Sequence, residues 1–330
     1  MYSELFDGQV RVHHIMSNTA GGLLTIEQMA KIIHRTQKLV ECGVFHAHSV
    51  WLFTRSDLKT IVVPQSTFGI LNAIANSEDW PKVSPRVPLV FFWVWLNLLP
   101  FAIDNQRQPA AILEDRYNKP WRTMPSERMT QRQAKSLMLF LYPVALVMSL
   151  WLGGTRQCLA LMVLGYGYNG LNLADWSWVS RNAINACGFC CFASGALEVA
   201  IGSPLSFSGG QSIVQWLAMI GGIVFSTVQT QDMADQVGDS MRGRKSMPLA
   251  LGDGLARWAI AIPMVGWSTI CSWFWGVTAV VHVAIVCLGL SIACRTLAWR
   301  NVEADKRTFQ LWNLWMACLY ALPFLSASEL

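Results

Sequence analysis

Charge is scarce in this sequence. Only 14% of its 330 residues are Asp, Glu, Lys or Arg, whereas 53% are hydrophobic and the mean hydropathy is +0.35. Soluble domains carry roughly 25% charged residues, so the shortfall argues against a water-soluble globule and for lipid as the solvent. A leader is lacking too: residues 1–45 contain no basic stretch followed by an apolar core and a small-residue cleavage site. The nine cysteines do not form a disulfide framework, because their number is odd and most lie inside apolar runs. Cys187, Cys190 and Cys191 have the spacing of a metal or redox cluster, but inside such a run they read as small packing residues. No nucleic-acid partner is expected.

What the sequence has instead is apolar runs of bilayer-crossing length, about 17–25 residues each. They fall near 60–77, 87–105, 134–153, 157–175, 182–201, 212–231, 256–273, 274–296 and 308–326. The first is interrupted by Pro64, Gln65 and Asn72, and Gly276 marks the turn between the seventh and eighth. The basic residues support this division. With the N-terminus and the loops at 106–135, 176–181, 232–257 and 295–307 on one side, 22 basic residues gather there and only Lys82, Arg86 and Arg156 lie opposite. Cytoplasmic loops are enriched in Lys and Arg. The expected fold is therefore all-α, an integral membrane bundle of nine transmembrane helices with a cytoplasm-facing cap of polar loops; eight spans without the first is the alternative. Residues 1–58 are expected to form a cytoplasmic segment and 59–330 the transmembrane domain. Between Ile26 and Leu58 the residues Met29, Ile32, Ile33, Leu39 and Val40 share one side at helical spacing. That pattern fits either an interfacial helix or a cytosolic helix packed on the loops.

Two acidic clusters stand at the ends of apolar runs. One follows the second run and contains Asn105, Gln108, Glu114, Asp115, Lys119 and Arg122; the other follows the sixth and contains Asp232, Asp235, Asp239, Arg242, Arg244 and Lys245. Four runs separate them, an even number of crossings, so both open on the same side and can meet. The spacing of Asp232, Asp235 and Asp239 stacks three carboxylates on one helix face, an arrangement that repels itself unless a cation sits among them. Oxygen donors without His or Cys suit Mg²⁺, which typically shares one or two carboxylates with substrate phosphates. Basic residues follow the acids in both clusters, as a metal-bridged diphosphate clamp requires. A solvated loop in which the acids merely pair with those bases is the competing reading.

These residues resemble the UbiA superfamily of intramembrane prenyltransferases. The run Asp232-x-x-Asp235-x-x-x-Asp239 followed by Gly243-Arg244-Lys245-Ser246-Met247-Pro248 is similar to that family's second motif, and Asp115 to Ser126 to the end of its first. The first motif departs from the pattern. Arg107, Gln108 and Ala111 stand where the family has Asn-Asp and a middle Asp, so one of three carboxylates survives. The segment Trp51 to Lys59, the sequence Asn105-Gln106 upstream of Leu113-Glu114-Asp115, and the Gln231-Asp232 start of the second motif resemble fungal membrane-bound terpene (sesquiterpene) cyclases.

The resemblance implies a terpene cyclase that ionises farnesyl diphosphate, or geranylgeranyl diphosphate, with Mg²⁺, in the endoplasmic reticulum membrane with its site facing the cytoplasm. Transfer of the prenyl group to an acceptor is the alternative. Asp115, Asp232, Asp235 and Asp239 are the expected catalytic residues. The expected metal ligands are these four with Glu114, Gln108 and Asn105, and the expected diphosphate ligands are Lys119, Arg122, Arg244, Lys245 and Asn172. Trp93, Trp95, Tyr166, Tyr168, Trp216, Phe225 and Trp267 are candidates to face the allylic cation. Glu198 is read either as a terminal base or as a protonated acid bonded between helices.

Overall fold

The computed structural model describes residues 26–76, 79–205 and 211–327. The first 25 residues of the expected cytoplasmic segment, and most of the stretch read as leader-free, lie outside them. The chain forms two compact units, Met1–His48 and Ser49–Leu330, and the boundary falls inside helix α1 (Ile26–Thr54). In the first unit Met29, Ile32, Ile33, Leu39 and Val40 are all exposed along α1.

The described residues of the second unit form helices joined by turns and loops, with no strand among them. A π-helical turn (Leu58–Val62) leads into α2 (Val63–Ala75), followed by α3 (Val87–Arg107), α4 (Pro109–Asn118), α5 (Gln131–Leu152) and α6 (Thr155–Gly165). Then come α7 (Trp178–Ile201), α8 (Gln211–Thr227), α9 (Gln236–Arg242), α10 (Asp253–Trp275), α11 (Ala279–Ala298) and α12 (Val302–Tyr320). The ends are written in the sequence. Thr130 and Gln133 form a capping box that starts α5, the Asn301 side chain accepts from the Ala304 N–H to start α12, and Gly202 and Gly276 end α7 and α10 in left-handed conformation.

Among the described residues five helical stretches are long and apolar enough to cross a membrane: Trp80–Arg107, Gln131–Leu152, Trp178–Ile201, Ile213–Gln231 and Ala279–Ala298. The other expected runs also hold helices, but α2 and α6 are shorter than a bilayer-crossing span, and α10 and α12 begin with charged turns.

Helix α7 lies between two apolar clusters. Ala186, Phe189 and Ala193 face α8, α10 and α12, while Phe192, Ala196 and Leu197 face α3, α5 and α6. Small residues let neighbouring backbones approach. A Cβ on Gly69 of α2 would lie 2.6 Å from the Ala196 carbonyl carbon, and one on Gly195 would strike the Trp93 ring. Hydrogen bonds cross the same interfaces: Trp93 Nε1 donates to Ser149 Oγ at 2.8 Å, Trp312 Nε1 to Thr227 Oγ1 at 2.9 Å, and Trp315 Nε1 to Ser268 Oγ at 2.9 Å.

One buried ion pair ties α10 to α12. Arg257 donates through Nη1 and Nη2 to the two Asp305 oxygens, both at 2.8 Å, and through Nε to Asp253 at 2.9 Å. Removing one partner of such a pair strands the other charge at a cost of about 3–5 kcal/mol. Arg257→Ala should therefore lower thermal stability in detergent by an amount of that order, and Asp305→Ala by a comparable amount, as read from denaturation midpoints.

Candidate active site

The two acidic clusters meet where α9 packs on α4. Gly238 permits the contact, since a Cβ there would lie 2.2 Å from Asn118 Nδ2 and 3.1 Å from Glu114 Cγ. The three aspartates of the second cluster are not on one continuous helix, as the spacing alone suggests. Asp232 follows a 3-10 turn (Val228–Gln231), Asp235 is the N-cap of α9, and Asp239 lies within it. Backbone bonds from Asp235 N to Asp232 O at 3.2 Å and from Asp239 N to Asp235 O at 2.9 Å nevertheless keep the three in helix-like succession.

Between the clusters lies a polar cavity of about 150 Å³. Asn105, Glu114, Asp115, Lys119, Arg122, Asp235 and Arg244 line it as expected, joined by Asp57, Arg181, Arg242 and Tyr168. Asp239 and Asp232 do not line it; both are almost completely buried and pair with Arg244 and Arg181, which do. Each acid of the two clusters is gripped by a base. Arg122 Nη1 donates to both Asp115 oxygens at 3.0 and 2.9 Å, and its Nη2 to Ser56 Oγ at 2.8 Å. Arg181 Nη1 donates to Asp232 at 2.7 Å and Lys119 Nζ to Asp235 at 3.3 Å. Arg244 donates to Asp239 at 2.8 Å, and Arg242 to Glu114 at 3.1 Å. Asp175 aims both arginines, accepting from Arg242 Nε at 3.0 Å and Arg244 Nε at 2.9 Å.

Burial and pairing compete for the charges. Burial pushes the Glu114 carboxyl upward, but Arg244, Arg242 and Lys119 outweigh it and hold the group below its ordinary range. At Asp57 burial wins over Arg122 and Lys119 and the carboxyl is raised. Burial likewise raises Asp232, against Arg181 and with the help of the neighbouring Asp239 charge.

Among the described residues no three His, Cys, Asp or Glu side chains converge as a ready-made metal cage. Mg²⁺ does not need one, because phosphate oxygens and waters complete its octahedron around one or two carboxylates. The donor set fits that mode. It is oxygen-only, and Asp232 Oδ2 and Asp239 Oδ2 are buried without a hydrogen-bond partner. Arg122 Nε is also buried and unpartnered, a donor left over for an anion.

Three expected ligands are not brought to this cavity. Gln108 is the N-cap of α4 and turns the corner from α3 instead of lining the cavity. Asn172 is exposed on a left-handed turn with φ of 55°. Lys245 is exposed, and only its backbone N–H is engaged, donating to the Asp175 carbonyl at 3.1 Å. The aromatic candidates sort similarly. Tyr168 faces the cavity, but Trp93 and Trp216 are fully buried in helix packing and Tyr166 is exposed. Glu198 is at the other end of α7, accepting from Arg156 at 2.6 Å and from the Gly154 N–H at 3.1 Å. There it clasps Arg156 and the Gly154 backbone, and it lines neither the polar nor the apolar cavity. Arg181 is the residue the sequence reading missed; its signal was a cation at the head of an apolar run.

An apolar cavity of about 70 Å³ continues from the polar one. Ile61, Leu98, Phe101, Tyr168, Asn185 and Phe189 belong to both, while Leu161, Gly188 and Phe192 line only the apolar part. The arrangement is thus a charged head site joined to a greasy tail site.

Residues 108–315 match the model of the UbiA prenyltransferase family. The chain belongs to that family. This UbiA-family chain is 28% identical over 293 residues to fumagillin beta-trans-bergamotene synthase of Aspergillus fumigatus, covering 88% of this chain and 96% of that protein. It is 27% identical to somaliensene A/B synthase of Streptomyces somaliensis, covering 83% and 93%. In fold it is similar to a UbiA homolog from Archaeoglobus fulgidus bound to GPP and Mg²⁺, with a TM-score of 0.56 at 12% identity, covering 83% of this chain and 99% of that one. Apolar helices and family together make it an integral, multi-pass membrane protein.

The close approach at Gly238 and the exposure of Lys245 generate one comparison. Gly238→Ala should cut turnover by about 10–100-fold through misplacement of the two clusters. Lys245→Ala should stay within about threefold of the parent, since its side chain is outside the cavity and acts as a surface point charge. Steady-state kinetics of the two purified variants check both.

Proposed function

We propose that this protein is a terpene cyclase that ionises an isoprenyl diphosphate, farnesyl diphosphate being the first choice, and cyclises the resulting allylic cation. One observation carries the reading: the cavity of paired acids and bases adjoins the apolar cavity and shares six wall residues with it. Its nine spans would hold the site on the cytoplasmic side of the endoplasmic reticulum membrane, the side that gathers most basic loops.

The residues divide the work by position. Asp235 and Asp239, with Asp232 and Asp115 beside them, would hold Mg²⁺, and Glu114 and Asn105 are further oxygen donors at the same wall. Mg²⁺, when bound, neutralises the diphosphate as a Lewis acid. Arg122, Lys119, Arg242, Arg244 and Arg181 would pair with phosphate oxygens in place of the carboxylates, leaving those carboxylates as the groups that would hold the metal. The prenyl chain lies along α7 toward Phe192, where the walls exclude the water that would quench a cation. Phe101, Tyr168 and Phe189 present aromatic groups at the junction of the two cavities, placed to stabilise positive charge without trapping it.

Transfer to an acceptor is the second reading. It is favoured by an outer basin of about 430 Å³ beside the polar cavity, lined by Arg55, Lys59, Trp121, Lys306 and Phe309. The two separate cleanly. Membranes incubated with Mg²⁺ and farnesyl or geranylgeranyl diphosphate, without acceptor, should yield cyclic hydrocarbon and free diphosphate. EDTA, Asp235→Ala or Asp239→Ala should abolish both. Diphosphate release that appears only when an acceptor is added would establish the transferase instead.

The tail cavity makes a second prediction. A Cβ on Gly188 meets nothing within 4 Å, so Gly188→Leu adds bulk to open space in a wall of the apolar cavity. The variant should fold normally and shift preference toward shorter prenyl diphosphates by about tenfold in relative kcat/KM, one to two methylene-sized steps of pocket discrimination.

A further inference from the structure

Helix α7 passes from the polar cavity to the apolar one within three turns. Arg181 lines only the polar cavity, and Gly188 and Phe192 only the apolar one. Asn185 stands between them and lines both. Its Nδ2 is buried and has no hydrogen-bond partner, although a buried amide donor left unmade costs about 1–3 kcal/mol. Tyr168, the other polar side chain common to both cavities, is already engaged, its hydroxyl accepting from Arg181 Nε at 3.4 Å. Leu or Ile at position 185 would remove the cost in a wall whose far side is apolar apart from Asn97, an amide whose Nδ2 already donates to the Trp93 carbonyl at 2.9 Å. A donor kept at that cost needs a partner that arrives with the ligand.

We propose that Asn185 is a catalytic residue whose carboxamide N–H donates to the ester oxygen of the departing diphosphate at the carbon where ionisation occurs. This rests on the reading of the site as a place where a prenyl diphosphate ionises. With the phosphates among the arginines and the chain in the apolar cavity, the linkage between them falls at the junction, and the ester oxygen is the acceptor that reaches it. Heterolysis breaks the carbon–oxygen bond and leaves the electron pair on the oxygen and the positive charge on the allylic carbon. No proton moves. The amide hydrogen bond strengthens as the oxygen gains charge, so it stabilises the transition state more than the bound substrate. The amide is neutral and does not capture the cation.

Asn185→Leu removes the donor at similar volume, and Asn185→Ala is a second variant should the first pack poorly. Three quantities are measured in the full-length protein: kcat and KM for farnesyl diphosphate, affinity for the non-ionising S-thiolo analogue of that substrate, and the thermal midpoint in detergent. The expected result is a kcat lower by about 10²–10³-fold, as for loss of one preorganised donor to a developing oxyanion. KM and analogue affinity should change less than threefold, and the thermal midpoint should be unchanged or raised. Turnover within threefold of the parent in either folded variant overturns the proposal. So does a loss of turnover matched by equal losses of analogue affinity or thermal stability, which marks a packing role. A parent protein that binds the analogue yet releases no diphosphate from any prenyl diphosphate would defeat the ionisation reading itself, and this proposal with it.

Discussion

Burying a carboxylate without a counter-charge costs several kcal/mol even after relaxation, and this chain buries Glu114, Asp115, Asp232 and Asp239 around one cavity. Two counter-charges are local, Arg122 to Asp115 and Arg244 to Asp239, and two come from distant segments, Arg181 of α7 to Asp232 and Arg242 of α9 to Glu114. The distant pairs fix distances between segments far apart in the chain. The α4–α9 contact at Gly238 sets how closely the two acidic clusters stand, and the guanidinium groups hold them there. The apolar interfaces around α7 stabilise the bundle, but they have no means of specifying that alignment.

The head and tail sites divide between two kinds of physics. The head is a set of directional, charge-assisted bonds whose partners are exchangeable. The tail is shape and dryness, set by Leu161, Gly188, Phe189 and Phe192 against Leu98 and Phe101. Tyr168 and Asn185 are the polar groups at the boundary, and Asn185 belongs to the helix that carries Arg181 of the head site.

Much of this was legible in the sequence. Low charge and recurring apolar runs carry the all-helical membrane fold, and the acidic clusters an even number of runs apart carry their meeting. The three-and-four spacing of the aspartates survives as helix-like succession even though a turn interrupts it. Orientation was not legible. Lys245 and Arg244 are adjacent and chemically alike, yet the left-handed Gly243 turns Arg244 inward to Asp239 and leaves Lys245 outside. Asn172 is likewise turned away, its left-handed backbone leaving it exposed. Arg181 and Asn185 escaped because their meaning depends on which side of α7 faces a cavity, and an apolar helix with little amphipathic pattern does not say.

The closed set of ion pairs also bears on the order in which the site fills. A lone divalent ion must pull a carboxylate from its arginine and strand that guanidinium, and a lone phosphate must do the reverse. Either step by itself exchanges one satisfied buried charge for one unsatisfied charge. Arriving together, the two satisfy both halves of every broken pair. On the proposed reading the resting protein is a largely pre-neutralised lattice in which metal and diphosphate would each raise the affinity for the other by linkage.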